Sequence, residues 1–313
     1  MDTPSVPTPA PSPAPTAGMA LALLASATIA AIVLGSIMQW VSLPLGLLWT
    51  EAFAFFAPAW LLVCAFRSDP ANWLGLSRPR FGLVALGFLV GLANYPIAGT
   101  LEVVVRTWVE ARWPAIAKFF DLAAHAFANV HGWQKVLTFV AVVLAAPAGE
   151  ETMFRGLLQP SLARALRPAW AIVITGALFS LIHFDPIGFF ARMELGIVFG
   201  LLVLWTRSLW VSMAAHAANN LFATCLYFLA GDAKDDGPPE KLQLLGLLAL
   251  GMVLTAPLLA AVWRLRREPE PQPWAPPVNL VRELRLWVAA AIVTAVLSVA
   301  IAIATGSLGQ IAR

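Results

Sequence analysis

The sequence predicts an all-α fold: a polytopic transmembrane helical bundle of eight core spans with an additional ninth C-terminal transmembrane helix. Three observations carry this reading. Of the 313 residues, 60 % are hydrophobic and the mean hydropathy is +0.79. Only 12 % are charged, about half the share of a soluble domain. Windows such as Met19–Leu45, Leu242–Trp263 and Leu286–Thr305 contain no formal charge, and each is long enough to cross about 30 Å of hydrocarbon. Basic residues gather at the ends of apolar runs, where topology explains them. The net charge of +3 is therefore no nucleic-acid signal, and the expected surroundings are the lipid bilayer.

Each element follows from local pattern. Residues 1–18 carry six prolines among Ser, Thr and Ala, a composition that builds no core and predicts a disordered tail. No basic run precedes the first apolar segment, which is long for a signal-peptide core. It reads as a retained helix over Met19–Val41, closed by Pro44. The second span, Thr50–Phe66, places Glu51 near an interface and leads into a basic, aromatic surface loop reaching Arg80. The third, Phe81 to about Thr100, has Gly82, Gly87, Gly91 and Gly99 for close helix approach, with Pro96 as a kink or stop.

Leu101–Lys135 mixes Glu102, Arg106 and Glu110 with aromatics; it is too polar to span and reads as amphipathic surface helices. His125 and His131 are surface histidines in that setting. The fourth span runs from Val136 into Glu150 and Glu151, and Gly156–Pro168 forms a short amphipathic segment. Three further spans follow: Ala169–Phe184, Met193–Trp205 (or from Phe189) and Ser208–Leu229. The membrane domain closes at Trp263; residues 264–285 form a basic, proline-rich linker, and 286–305 the last helix. Cys64 and Cys225 read as small buried hydrophobes. Positive-inside places the amino terminus in the cytoplasm and the carboxy terminus outside. The Ala, Pro and Arg bias suggests a bacterial cytoplasmic membrane.

The chemistry concentrates at Pro147-Ala148-Gly149-Glu150-Glu151-Thr152-Met153-Phe154-Arg155-Gly156. Charges in or near hydrocarbon are costly, so the default reading is a buried functional cluster. Glu151 and Arg155 stand four apart and share a helix face, as an ion pair requires. Glu150 points about 100° away, free to take a proton from water. His183 and His216 are the histidines of apolar helices; His216 and Asn220 form an i,i+4 pair able to donate to a developing oxyanion. The simpler alternative for the charges is a Glu-Arg-Glu network that only locks helices. Glu150, His183 and His216 also supply the carboxylate and two imidazoles of a zinc hydrolase, but without a His-Glu-x-x-His signature.

Glu150-Glu151-x-x-x-Arg155, Phe179-x-x-x-His183 and His216-x-x-x-Asn220, in this order within 71 residues, resemble the motifs of the CPBP family. That family comprises type II CAAX prenyl endopeptidases, bacteriocin-processing or immunity proteins and abortive-infection proteins. The resemblance covers about 136–229. It implies a membrane-embedded cavity in which Glu150 and His183 activate water and His216 and Asn220 form the oxyanion site. Glu151, Arg155 and Phe179 then support the site. It implies no metal cofactor, with zinc the open alternative.

The function expected is an intramembrane endopeptidase acting on a membrane protein or peptide. A non-catalytic chaperone or immunity factor binding a partner in the same cavity is the alternative, and a proton- or cation-carrying transporter a third. The substrate and the oligomeric state are not readable from the sequence. One expectation conflicts with the mechanism: at about 1.5 Å per residue, untilted helices put His183 roughly 24 Å from Arg167 but His216 roughly 14 Å from Arg207, at different depths.

Overall fold

Thr16 opens the first helix by accepting a hydrogen bond from the Met19 N–H at 3.3 Å, so residues 17 and 18 are already helical rather than part of a tail. The computed structural model describes residues 14–66, 69–77, 80–120, 130–230, 240–266 and 279–305. The tail up to residue 13, His125, the acidic loop 231–239 and most of the proline-rich linker (267–278) lie outside the described residues. Nine longer helices are present among those described: α1 Ala17–Val41, α2 Leu43–Cys64, α3 Phe81–Glu110, α4 Trp133–Ala163, α5 Pro168–Leu181, α6 Phe189–Thr206, α7 Leu209–Ala230, α8 Lys241–Arg264 and α9 Leu280–Thr305.

The chain is a multi-pass membrane protein. Among the described residues seven of these helices are long and apolar enough to cross a membrane, α5 and α7 being the two outside that set. α5 has 14 residues, roughly 21 Å of rise against about 30 Å of hydrocarbon. α7 is long enough, but His216, Asn219 and Asn220 lower its hydropathy.

Several boundaries differ from expectation for identifiable reasons. Pro44 does not close the first span. Ser42 is extended (φ −161°, ψ 116°) and Pro44 sits in the first turn of α2, where its missing N–H costs no helical bond. α2 therefore starts seven residues early, and Glu51 lies two turns inside it, 8 % exposed rather than interfacial. Pro96 does not stop α3, which continues to Glu110 and carries the Glu102–Arg106 pair (3.4 Å) on its outer turns. Only Pro114–Phe119 forms a separate short helix in the described part of the 101–135 segment; His131 is exposed, as expected. α4 runs on past the glutamates to Ala163, so 156–163 is not a separate segment. α9 starts at Leu280 and takes in the last residues expected of the linker.

The loop before α3 is docked rather than free. Gly75, in the left-handed region at φ +78°, offers its carbonyl to the Leu209 N–H at 2.8 Å. The Trp210 indole donates to the Leu76 carbonyl at 3.1 Å, and Leu74 is 2 % exposed. This ties the start of α7 to the loop.

Close backbone approach builds the centre. A Cβ at Gly87 or Gly91 of α3 would collide with the carbonyls of Val211 or Ala215 of α7, as the small-residue spacing anticipates. Gly82, by contrast, meets nothing within 4 Å. α5 and α6 cross in the same way: a Cβ at Gly196 would lie 2.7 Å from the Gly176 Cα. Two apolar clusters result. Met153, Phe154, Leu157 and Leu158 of α4 pack with α1, α2 and α5, and Val90, Leu195, Phe199 and Leu202 join α3 to α6. Outer residues such as Ile29, Val253 and Val296 are more than 60 % exposed on faces that suit lipid.

Candidate active site

α4 carries the charges, and proline shapes it there. The helix widens into π-type turns over Ala141–Ala145 and Thr152–Leu158, on either side of Ala146–Glu151. Such turns recur at functional sites. In the first, the Ala146 N–H goes to the Ala141 carbonyl, five residues back. The corresponding donor for Val142 would be Pro147, which has no N–H. The Val142 carbonyl is instead met from α7 by the Asn220 amide, which donates at 2.9 Å.

Glu151 faces inward and is saturated. Its Oε1 accepts from Arg155 Nη1 at 2.8 Å and from His216 Nδ1 at 3.0 Å. Its Oε2 accepts a short hydrogen bond from the Ser212 hydroxyl. Both members of the Glu151–Arg155 pair have fully buried side chains. Arg155 also donates through Nη2 to the Gly196 carbonyl at 3.1 Å, and its guanidinium lies 4.5 Å from the Phe179 ring centroid and 5.4 Å from that of Phe199. Carboxylate, carbonyl and aromatic faces replace water around the two terminal nitrogens of this intramembrane cation, while its Nε is buried without a hydrogen-bond partner.

Glu150 faces the other way, toward two histidines. Its Oε1 stands 3.8 Å from His183 Nε2 and its Oε2 stands 3.6 Å from His216 Nε2. Both imidazoles are held from behind. His183 is not in α5 as expected but in the turn that follows it. Its Nδ1 lies 2.8 Å from the Phe179 carbonyl, which can only accept, so Nδ1 carries the hydrogen. His216 Nδ1 meets a carboxylate already paired with arginine, so it too is the donor. With Nδ1 engaged in both rings, it is the Nε2 edge of each that faces Glu150. Phe199 stacks on His216 at 5.0 Å and 22°, and Phe179 packs edge-on against both imidazoles.

The short α5 removes the conflict of depths. The chain leaves the helix after Leu181 and turns through Ile182–Gly188. Asp185 ties that turn by accepting from the Ile187 and Gly188 N–H groups at 3.0 and 3.3 Å. Arg192 of α6 donates to the Asp185 carboxylate at 2.6 Å and to its carbonyl at 2.8 Å.

The structure thus brings Glu150, His183 and His216 together, with Glu151, Arg155 and Phe179 behind them. Asn220 lies one turn beyond His216 with one amide hydrogen committed to Val142; Asn219 donates to its oxygen at 3.5 Å. Ser212 and Phe199 had no place in the sequence reading, and Asp185 and Arg192 had none at the site. Ser212 could have been found, because it stands four residues before His216 on the same face. Glu150, His183 and His216 are also the groups that would take up a metal ion, although among the described residues no group of three His, Cys, Asp or Glu side chains has the spacing to hold one.

Residues 132–222 match the family model described as Type II CAAX prenyl endopeptidase Rce1-like, which bears out the resemblance drawn from the three motifs. The match spans just under a third of the chain, from the start of α4 into α7, and includes every candidate residue above. Comparisons with curated proteins and with solved structures give no match.

Proposed function

We propose that this membrane-embedded chain, whose residues 132–222 are Rce1-like, is an intramembrane endopeptidase in which Glu150 activates water. The observation that carries the reading is the convergence of one carboxyl group and two imidazole Nε2 atoms, each Nε2 within 4 Å of a Glu150 oxygen, from α4, α7 and the turn after α5. At 3.8 and 3.6 Å neither imidazole hydrogen-bonds Glu150 directly, which makes a poor lock for helices. Such spacing suits a small polar guest held among the three groups, and a water molecule bonds in several directions.

In the proposed reaction Glu150 takes a proton from that water as its oxygen attacks the peptide carbonyl carbon. The glutamic acid then returns the proton to the departing amide nitrogen. His183 orients the water through Nε2. His216, held by Glu151, lines the oxyanion side together with Asn220, whose second amide hydrogen is the donor to the oxyanion. Access is from the His183 side: that side chain is 29 % exposed, against 11 % for Glu150 and none for Glu151. The substrate is an unprenylated peptide or membrane protein segment entering from the bilayer.

The test is cleavage of a peptide library by the purified protein in lipid bilayers, with and without a chelator. Glu150→Gln lowers turnover by about 10³-fold, within the range for a lost general base, with the melting temperature nearly unchanged, and the chelator has no effect. Cleavage by Glu150→Gln at the wild-type rate overturns the assignment. Biological function that survives alanine at both Glu150 and His183 points instead to partner binding in the same cavity.

A further inference from the structure

A third carboxyl group lies buried against α4, within electrostatic reach of Glu150. Glu51 of α2 is 8 % exposed, and its Oε2 is buried with no hydrogen-bond partner. It packs so closely on Gly149 that a Cβ there would come within 2.6 Å of that oxygen. Glu51 belongs to the wall of a cavity of about 500 Å³ enclosed by α2, α4 and α9. Leu48, Phe53, Ala148, Leu297 and Ile301 represent its apolar lining, and among the lining residues Glu51 is the ionisable one. Nothing in the proposed reaction uses it. An ionisable residue inside a membrane protein with no partner of its own points to a guest.

The walls state what the guest is. The cavity lies among three helices long enough to span the membrane, and Leu297, which lines it, is also 55 % exposed, so it opens toward lipid. Its volume falls within the range of small-molecule sites, roughly 300–1,000 Å³. A flexible hydrocarbon chain satisfies Leu48, Phe53, Leu297 and Ile301. A buried carboxyl group without a partner is met by a basic group that can take its proton and pair with it. We propose that this cavity binds a membrane amphiphile made of one hydrocarbon chain and a primary amine, the ammonium group pairing with Glu51.

The proposal does not rest on the peptidase reading and is tested without proteolysis. The full-length protein, in phosphatidylcholine nanodiscs that contain no primary amine, is photolabelled with a diazirine-bearing dodecylamine, and the labelled peptides are mapped. Labelling concentrates on residues 45–56 and 294–301 and saturates. Unlabelled dodecylamine competes about tenfold better than dodecanol or laurate, the factor expected of one charge-assisted hydrogen bond. Glu51→Gln brings the amine down to the level of dodecanol while dodecanol competition persists, which shows that the cavity is still folded. Ser298→Leu, on the cavity face of the peripheral α9, lowers labelling by both. Labelling spread evenly over the lipid-facing helices, equal competition by amine and laurate, or an unchanged preference for the amine in Glu51→Gln overturns the proposal.

Discussion

On one side of α4, Glu151 accepts hydrogen bonds from Arg155, His216 and Ser212. On the other, Glu150 faces two imidazole nitrogens at 3.8 and 3.6 Å and has no hydrogen-bond donor among the described residues. The two carboxyl groups are neighbours in sequence and both are buried, so burial alone does not separate them. Saturation does. A fully satisfied polar group in a low-dielectric interior fixes the packing around it, whereas an unsatisfied one is a standing cost unless a guest meets it. The contrast divides the site into a part that holds helices together and a part that is left open, with His216 shared between them.

The sharpest way to break this division is to open the saturated side. Arg155→Ala leaves Glu151 buried with a hydroxyl and an imidazole but no countercharge. Removing one partner of a buried pair costs about 3–5 kcal/mol. The expected outcome is a large fall in folded abundance in the membrane and in the thermal midpoint, read by fluorescence-detected chromatography across a temperature series. Arg155→Lys recovers part of the loss, since an ammonium supplies charge but cannot reach Glu151 and the Gly196 carbonyl together in the geometry of a planar fork. An Arg155→Ala variant as stable as the wild type and catalytically dead would move Arg155 from scaffold to chemistry.

The legibility of this division from sequence was uneven, and the reasons are physical. The Glu151–Arg155 pair was readable because i,i+4 spacing on a helix dictates contact, and the structure closes it at 2.8 Å. The orientation of Glu150 away from that pair followed from the same geometry. The close packing of α3 on α7 was readable at Gly87 and Gly91, but glycine spacing did not reveal that Gly82 has no neighbour. The position of His183 was not readable. Hydropathy carries the apolar run Phe179–Phe184 straight on, whereas the break after Leu181 depends on the Asp185–Arg192 clamp and on the Ser180 hydroxyl, which donates to the Phe189 carbonyl at 2.8 Å. Those contacts pass between α5, its turn and α6. Glu51 was misplaced for a related reason: a proline in the first turn of a helix looks in sequence like the end of the one before it.

Asn220 tests where the boundary between the two sides runs. Its amide satisfies the Val142 carbonyl that Pro147 leaves without a helical donor, and its second hydrogen is the one proposed for the oxyanion. Asn220→Ala strands that carbonyl at a cost of about 2 kcal/mol, seen as a lower thermal midpoint, and also lowers kcat. Pro147→Ala in the same background separates the two roles. It restores a backbone N–H at 147 and recovers stability without recovering kcat. Recovery of both would make Asn220 purely structural.

Ser212 gives the smallest effect and the finest discrimination. Ser212→Ala removes one of three donors from Glu151 and leaves Arg155 and His216 in place. The loss expected is about 1 kcal/mol, near the average worth of an intramolecular hydrogen bond and of the same order as interhelical bonds measured in membranes. Because Ser212 touches Glu151 Oε2 while His216 uses Oε1, the imidazole keeps its anchor and Nε2 still faces Glu150. Turnover should therefore change less than threefold while the thermal midpoint falls by a few degrees. A loss of turnover approaching that of Glu150→Gln, with stability unchanged, would mean that the hydroxyl tunes the charge Glu151 offers to His216, and the saturated side would then belong to the chemistry as well.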